Sequence, residues 1–324
     1  MRIAVVGHSL IHSRQRAFFS EVVRQGHQVL IICPEKWGTL KYSYIQLSVP
    51  LGLWTRAYPA IGEPDMYNYS LAGQWESHVE AFHPDVLYIQ QELACRITEE
   101  AIQLGKKLGR KVALFVWENM KKADSDNLLA QVDLLVAGND SAVKLHPGAG
   151  RYVMLPQVGV DTNHFQARPD VDRTASVTYV GRPVPEKGID YLRQVWPLAK
   201  FTPWVPWREL PWWYSAAKVI VCYSLDTERW REQAMPYTAV EAMSCGCAVV
   251  ASDAGAIPFW LGGGFAEPCP GVKIVPQHQP KALAQAIGEV LENWQEMGQK
   301  GREWVVKHLS SPVIAKRLVE AFSW

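Results

Sequence analysis

Arg231–Pro258 reads REQAMPYTAVEAMSCGCAVVASDAGAIP and parses as loop, helix, strand and loop. Pro236 suits a first helical position, where its missing N–H costs nothing. Thr238–Met243 is compatible with a helix, and the glycine of Ser244-Cys245-Gly246 stops it. Ala248–Ser252 is a short apolar run and hence a buried strand, and Asp253–Pro258 is a turn cluster. A helix start here offers unpaired backbone N–H groups and about half a positive charge, which together suit a phosphate. Glu241 sits inside an otherwise apolar helix, so its carboxylate is either half-exposed on an ordinary helix or supplied with a partner.

The rest of the chain gives this stretch its setting. It has 324 residues, 48% hydrophobic and 20% charged, with a net charge of +1. That is a globular composition long enough for two domains, and its near-neutral charge argues against a nucleic-acid partner. Met1–Gly7 enters a strand at once, so the expectation is a cytoplasmic protein with no signal peptide. No apolar run is long enough to span a bilayer. The six cysteines form no CxxC pair and sit beside apolar strands, which reads as buried free thiols.

At the amino terminus, strand Arg2–Gly7, a polar loop to Ser13, helix Arg14–Gln25 and strand His27–Cys33 form a β–α–β start. They imply a parallel sheet with helices on its faces. Ligands of such sheets bind at the carboxyl ends of strands, where Gly7 and His8 fall. Asp85–Gln90, Lys111–Val116, Asp133–Ala137 and Tyr152–Leu155 continue the alternation, with a helix over Thr98–Leu108. Polar residues gather after two strands, at Glu92 and at Glu118-Asn119, as a ligand-binding cleft requires. Lys106, Lys107, Arg110 and Lys111 form a basic run near a helix end. It reads as a solvated terminus or, more sharply, as contact with an anionic membrane surface.

A polar, aperiodic stretch after Phe165 places the domain boundary at 168. The second domain opens with strand Ser176–Val180, then Gly181, and a loop from Arg182 to Gly188. Gly181 lets the backbone approach a ligand, while Arg182 and Lys187 bring a planar fork of donors and a point charge. Farther on, Pro258–Pro276 reads as turn and short strand. Residues 278–294 form an amphipathic helix with Leu283, Ile287, Val290 and Leu291 on one face, and Val313–Phe322 is the last helix.

Three segments of this chain resemble one family. PYTAVEAMSCGCAVVASDAGAIP is similar to the signature of retaining glycosyltransferases of the GT-B fold, glycosyltransferase family 4. That signature runs Glu-x7-Glu, Ala-Met-x-x-Gly, a Val-Val strand and a Gly-rich turn. VGRPVPEKG (Val180–Gly188) resembles the family's second signature, and LPQVGVDTNHF (Leu155–Phe165) its interdomain segment. The resemblance implies an α/β fold of two Rossmann-like domains facing across a cleft. Residues 1–168 would bind the acceptor, 169–308 a nucleotide-diphosphate sugar, and 309–324 would form a helix crossing back to the first domain. It implies transfer of a hexosyl group with retention and no obligatory metal or cofactor. The acceptor would be a glycan, a lipid-linked or a small molecule, as in polysaccharide or glycolipid biosynthesis at the inner face of a membrane.

By the same resemblance, Arg182 and Lys187 hold the donor's phosphates and stabilise the departing diphosphate. The amides of Ala234, Met235, Pro236 and Tyr237 add the helix-start field (proline only its position), and Glu241 accepts from the ribose. The first family glutamate falls on Gln233, which would contact the transferred sugar, with Glu232 one place off. Gly7, His8, Glu118 and Asn119 would line the acceptor side, where a family histidine has no clear equivalent. About one β–α unit is missing before Leu210–Ser224, and Trp204, Trp207, Trp212 and Trp213 would cover the sheet edge or stack on the base. These departures leave two other readings open: a non-catalytic member that binds nucleotide or serves as a partner subunit, and a sugar-nucleotide epimerase.

Overall fold

The computed structural model describes residues 1–41, 51–120, 126–202 and 205–323. The chain folds as two compact units, Met1–Gly159 with Ile314–Trp324, and Val160–Val313. The division falls inside the Leu155–Phe165 segment, and the end of the carboxyl-terminal helix belongs to the first unit.

In the first unit, β1 (Arg2–Val6) leads through a 3₁₀ turn to α1 (Ser13–Arg24) and β2 (Gln28–Pro34). Then follow β3 (Leu53–Tyr58), α2 (Trp75–Phe82), β4 (Val86–Gln90) and α3 (Arg96–Lys107). The unit continues with β5 (Lys111–Val116), β6 (Leu134–Ala137), α4 (Asp140–Leu145) and β7 (Tyr152–Met154). The sheet order is β7-β6-β5-β4-β1-β2-β3, with every pairing parallel. β1, β2, β4, β5 and β6 are buried along nearly their whole length, as strands covered on both faces must be. β3 has no counterpart in the sequence reading. It is an edge strand whose alternating burial differs from the continuous apolar runs of the others.

The order reverses between β1 and β4, so their carboxyl ends part and leave a crevice. Gly7 is needed there: a Cβ on it would stand 2.6 Å from the Gln90 carbonyl oxygen. The basic run from the last turn of α3 to the start of β5 is tied down in part, with Lys106 and Lys111 reaching Asp133 at 3.2 and 3.3 Å. No helix among the described residues is long and apolar enough to cross a membrane.

The second unit repeats the plan. β8 (Ala175–Tyr179), α5 (Ile189–Val195) and a two-residue edge strand β9 (Lys200–Phe201) precede α6 (Leu210–Ser215) and β10 (Ala217–Cys222). Next come α7 (Tyr237–Ser244), β11 (Ala248–Ser252), α8 (Ile257–Leu261) and β12 (Val272–Val275). α9 (Pro280–Glu292) and α10 (Trp294–His308) complete the unit, and α11 (Ser311–Ala321) runs from it into the first. The parallel order is β9-β8-β10-β11-β12.

Between α5 and α6, where about one β–α unit is expected to be missing, the described residues hold one strand, β9, of two residues. Between it and the turn at Trp207, the described residues hold no further helix or strand. α8 corrects the expectation of turn and short strand after Pro258, since a proline in the first turn is compatible with a helix. α10 is a second addition, amphipathic but with buried Gly298 and Gly301 on its inner face, where the lack of a side chain hid the pattern.

The described tryptophans of the cluster make ring contacts with aromatic neighbours. Trp207 stacks on His164, with centroids 3.7 Å apart, and meets Phe165 edge-on. Trp212 and Trp213 meet edge-on at 5.2 Å; Trp204 lies outside the described residues. Asp161 caps its own turn, accepting from the amides of Asn163 and His164. Of the six free cysteines, all but Cys222 are buried.

The tightest approach in the second unit is at Gly188, where φ is +62° and a Cβ would stand 2.0 Å from the Tyr223 carbonyl oxygen. Gly109 has φ +64° with open space around it. Gly109→Ala should thus cost only the left-handed backbone penalty, about 1–2 kcal/mol. Gly188→Ala adds a backbone clash and should cost clearly more in urea denaturation; equal costs for the two would refute this assignment.

Candidate active site

The second sheet reverses order between β8 and β10, and a cavity of about 290 Å³ opens at that point. Three segments build most of it, and Ile257 of α8 adds to its wall. The turn after β8 contributes Gly181, Arg182 and Lys187; the end of β10 contributes Cys222, Tyr223 and Ser224; the approach to α7 contributes Glu232 and Ala234–Thr238. The sequence reading brought together most of these residues: Gly181, Arg182, Lys187, Glu232, Ala234, Met235, Pro236 and Tyr237 all line this one space.

Each segment is held by local bonds. Tyr179 donates its hydroxyl to the Arg182 carbonyl at 2.6 Å, which curls the turn back over β8. A Cβ at Gly181 would crowd that hydroxyl at 2.8 Å. The Lys187 and Gly188 amides close a 3₁₀ turn onto Val184 and Pro185, and Leu225 donates to the Glu186 carbonyl. This places the Lys187 ammonium inside the cavity, while Arg182 stays exposed at its edge.

Within the cavity, Lys187 Nζ lies 2.6 Å from Glu232 Oε2. Ser224 Oγ donates to the same oxygen at 2.8 Å, and the Trp230 ring lies 4.8 Å from the ammonium. Gln233 is not among the lining residues. The acidic side chain at this cavity is that of Glu232, one position from where the family spacing puts it. The main chain shows why: the Glu232 carbonyl accepts from the Ala256 amide at 2.8 Å, against a tight turn at Gly255.

Glu241 does not line the cavity either. It lies in α7, 3% exposed, and accepts from the Tyr214 hydroxyl at 3.3 Å. As placed, it ties α7 to α6.

In the first unit, polar side chains gather at the β1–β4 crevice. His8 Nδ1 is 2.5 Å from Gln91 Oε1; because an amide oxygen only accepts, the imidazole carries its proton on Nδ1. Its ring lies 4.8 Å from that of Trp37. Glu92 accepts from the amides of Trp117 and Glu118, which fixes the loop after β5. Glu118 accepts in turn from the Tyr67 hydroxyl. Asn119, next in the chain, is nine-tenths buried. Gln90, Gln91 and Gln157 line the same small crevice as His8; they were not singled out in the sequence, where glutamines at strand ends carry no distinctive spacing. Among the described residues, no group of three or more His, Cys, Asp or Glu side chains is placed to hold a metal ion.

Residues 149–293 match the family glycosyl transferases group 1. That span contains the whole 290 Å³ cavity. The fold is GT-B. A sucrose-phosphate synthase from Thermosynechococcus elongatus superposes with a TM-score of 0.69 at 16% identity, over 99% of this chain and 98% of its own. A crystal structure of Anabaena HepE in complex with UDP gives 0.70 at 16% identity, over 100% of both chains. A glycosyltransferase from Rickettsia africae gives 0.71 at 12% identity, over 99% of this chain and 97% of its own. No curated protein matches the sequence.

Burial lowers the pKa of His8 below its ordinary 6.5, against the raising effect of the Gln91 bond, with a smaller lowering contribution from His12. Burial likewise lowers that of His12. A base whose folded pKa is depressed binds fewer protons folded than unfolded. Its neutral form leaves stability intact above pH 6.5, and stability is lost as pH falls below that value. An NMR titration should find His8 titrating below the ordinary 6.5. His8→Gln should flatten part of the stability decline on the acid side; an unchanged decline would show that the ring titrates freely.

Proposed function

We propose that this protein is a glycosyltransferase that moves a sugar from a nucleoside-diphosphate sugar to an acceptor hydroxyl, with retention and without an obligatory metal. The observation that carries this is the cavity at the β8–β10 reversal. Arg182, Lys187 and the start of α7 converge there, and the glycosyl transferases group 1 match spans it. The UDP complex of the similarly folded Anabaena protein supports a nucleotide ligand for such a cavity.

The chemistry follows from charge. As the glycosidic bond to the diphosphate lengthens, negative charge grows on the leaving oxygens. Donors already in position stabilise that charge without reorganising. Lys187 supplies a half-buried ammonium, Arg182 a guanidinium at the edge, and residues Ala234–Tyr237 the positive end of α7. In this reading those groups take the place of a metal ion. Gly7, His8, Glu118 and Asn119 form the acceptor side: an imidazole whose burial disfavours its charge and a carboxylate held by Tyr67 suit a polyhydroxyl acceptor better than an anion. A glycan or a lipid-linked sugar meets that description, and membrane contact through Lys107 and Arg110 belongs to the same proposal. The non-catalytic alternative rests chiefly on Gln233, and Glu232 supplies a carboxylate that weakens its support.

The test is binding of UDP, GDP, ADP and TDP by thermal shift and calorimetry, followed by hydrolysis or transfer from the matching sugar nucleotides. One diphosphate should raise Tm in the parent. Arg182→Ala and Lys187→Ala should each weaken its binding by about 10- to 100-fold, the value of one charge-assisted hydrogen bond. Binding with no turnover of any labelled donor would favour the non-catalytic reading, and no binding at all would overturn the donor site.

A further inference from the structure

Among the described residues lining the cavity, Glu232 is the one acidic side chain, and it already engages the cation that a diphosphate needs. The arrangement is closed. Lys187 Nζ is 2.6 Å from Glu232 Oε2 and 3.5 Å from Ser224 Oγ, and Ser224 Oγ is 2.8 Å from that same Oε2. The carboxylate cannot easily retreat. Its main chain is bonded to the Ala256 amide, and the neighbouring turn comes so close that a Cβ on Gly255 would stand 2.1 Å from the Glu232 carbonyl oxygen. Trp230 covers the ammonium at 4.8 Å. Its own position is set by a turn in which its carbonyl accepts from the Thr227 amide at 2.8 Å and its amide donates to Thr227 Oγ1 at 2.9 Å.

An incoming diphosphate therefore meets a lysine whose charge is already compensated. To bind, it must draw Lys187 away from Glu232. The exchange is mild because Ser224 donates to the very oxygen that Lys187 would leave, so the carboxylate keeps a hydrogen-bond donor throughout. It is also reversible, because the carboxylate remains beside the bound diphosphate as a like charge.

We propose that Glu232 is a built-in competitor of the diphosphate for Lys187, lowering affinity for the nucleoside-diphosphate product and speeding its release by re-forming the Lys187–Glu232 pair. This rests on the donor-site reading above and adds to it a specific role for Glu232 against the product.

The experiment measures inorganic pyrophosphate and UDP binding by calorimetry, and UDP release by stopped-flow displacement, in the parent, Glu232→Gln and Glu232→Asp. Glu232→Gln keeps the size and an acceptor for Ser224 while removing the charge. It should bind both ligands roughly three- to tenfold tighter, the factor for relieving one half-buried charge contact, and should release UDP more slowly. Glu232→Asp retracts the carboxylate by one methylene and should fall between parent and Glu232→Gln, so the proposal stays testable even if one variant folds poorly. If the parent binds both ligands and neither variant binds them more tightly, the competitor role is overturned while the donor site stands. A parent that binds GDP, ADP or TDP in place of UDP is tested with that diphosphate; if it binds neither pyrophosphate nor any of the four nucleoside diphosphates, the donor site and this inference fall together.

Discussion

Parallel pairing of strands buried on both faces is the constraint on which this protein rests. Such a sheet has no solvent-facing side, so its strands must be continuous apolar runs, and the connections must be helices that cover the faces. The polar chemistry is then pushed to the strand ends. Where strand order reverses, two neighbouring connections leave on opposite faces, and a crevice remains that neither covers. The reversal between β1 and β4 gathers His8, Gln90, Gln91 and Glu92; the reversal between β8 and β10 gathers Arg182, Lys187 and Ser224. Two unrelated sets of side chains thus arise from one topological rule applied twice.

Glycine makes the crevices close enough to be useful. Gly7 allows the turn after β1 to lie against the Gln90 carbonyl, and Gly188 allows the Lys187 turn to lie against the Tyr223 carbonyl. In both cases the neighbour is a backbone atom at the end of the strand across the reversal, which cannot move aside without disturbing the sheet. The side chain that precedes or follows the glycine is consequently fixed in depth. Lys187 is half-buried for this reason, and a half-buried ammonium requires a counter-charge, which Glu232 provides.

The donor-side carboxylates show how far spacing alone reaches. Counting back from Glu241 by the family spacing leads to Gln233, yet the carboxylate in the cavity belongs to Glu232, because the loop before α7 is bonded to the turn at Gly255–Ala256. Glu241 itself is on a helix face that packs against Tyr214. A count along the chain assumes a regular path, and this loop is irregular from Asp226 to Pro236.

The sequence by itself determined the α/β class, the central strands, α7 with its proline start, and the positions of Gly181, Arg182 and Lys187. Those features are local: continuous apolar runs, caps and glycine turns act within a few residues. It did not determine β3, whose alternating edge pattern differs from the buried strands. It also missed α10, whose inner face carries glycines, and the two-residue β9, too short for any periodicity. Only the tertiary structure decided that Glu232 pairs with Lys187, that Glu241 points into a helix contact, and that three glutamines line the first crevice with His8. Each of these depends on which distant backbone segments come together, and hydrogen bonds between segments tens of residues apart leave no periodic trace in the chain.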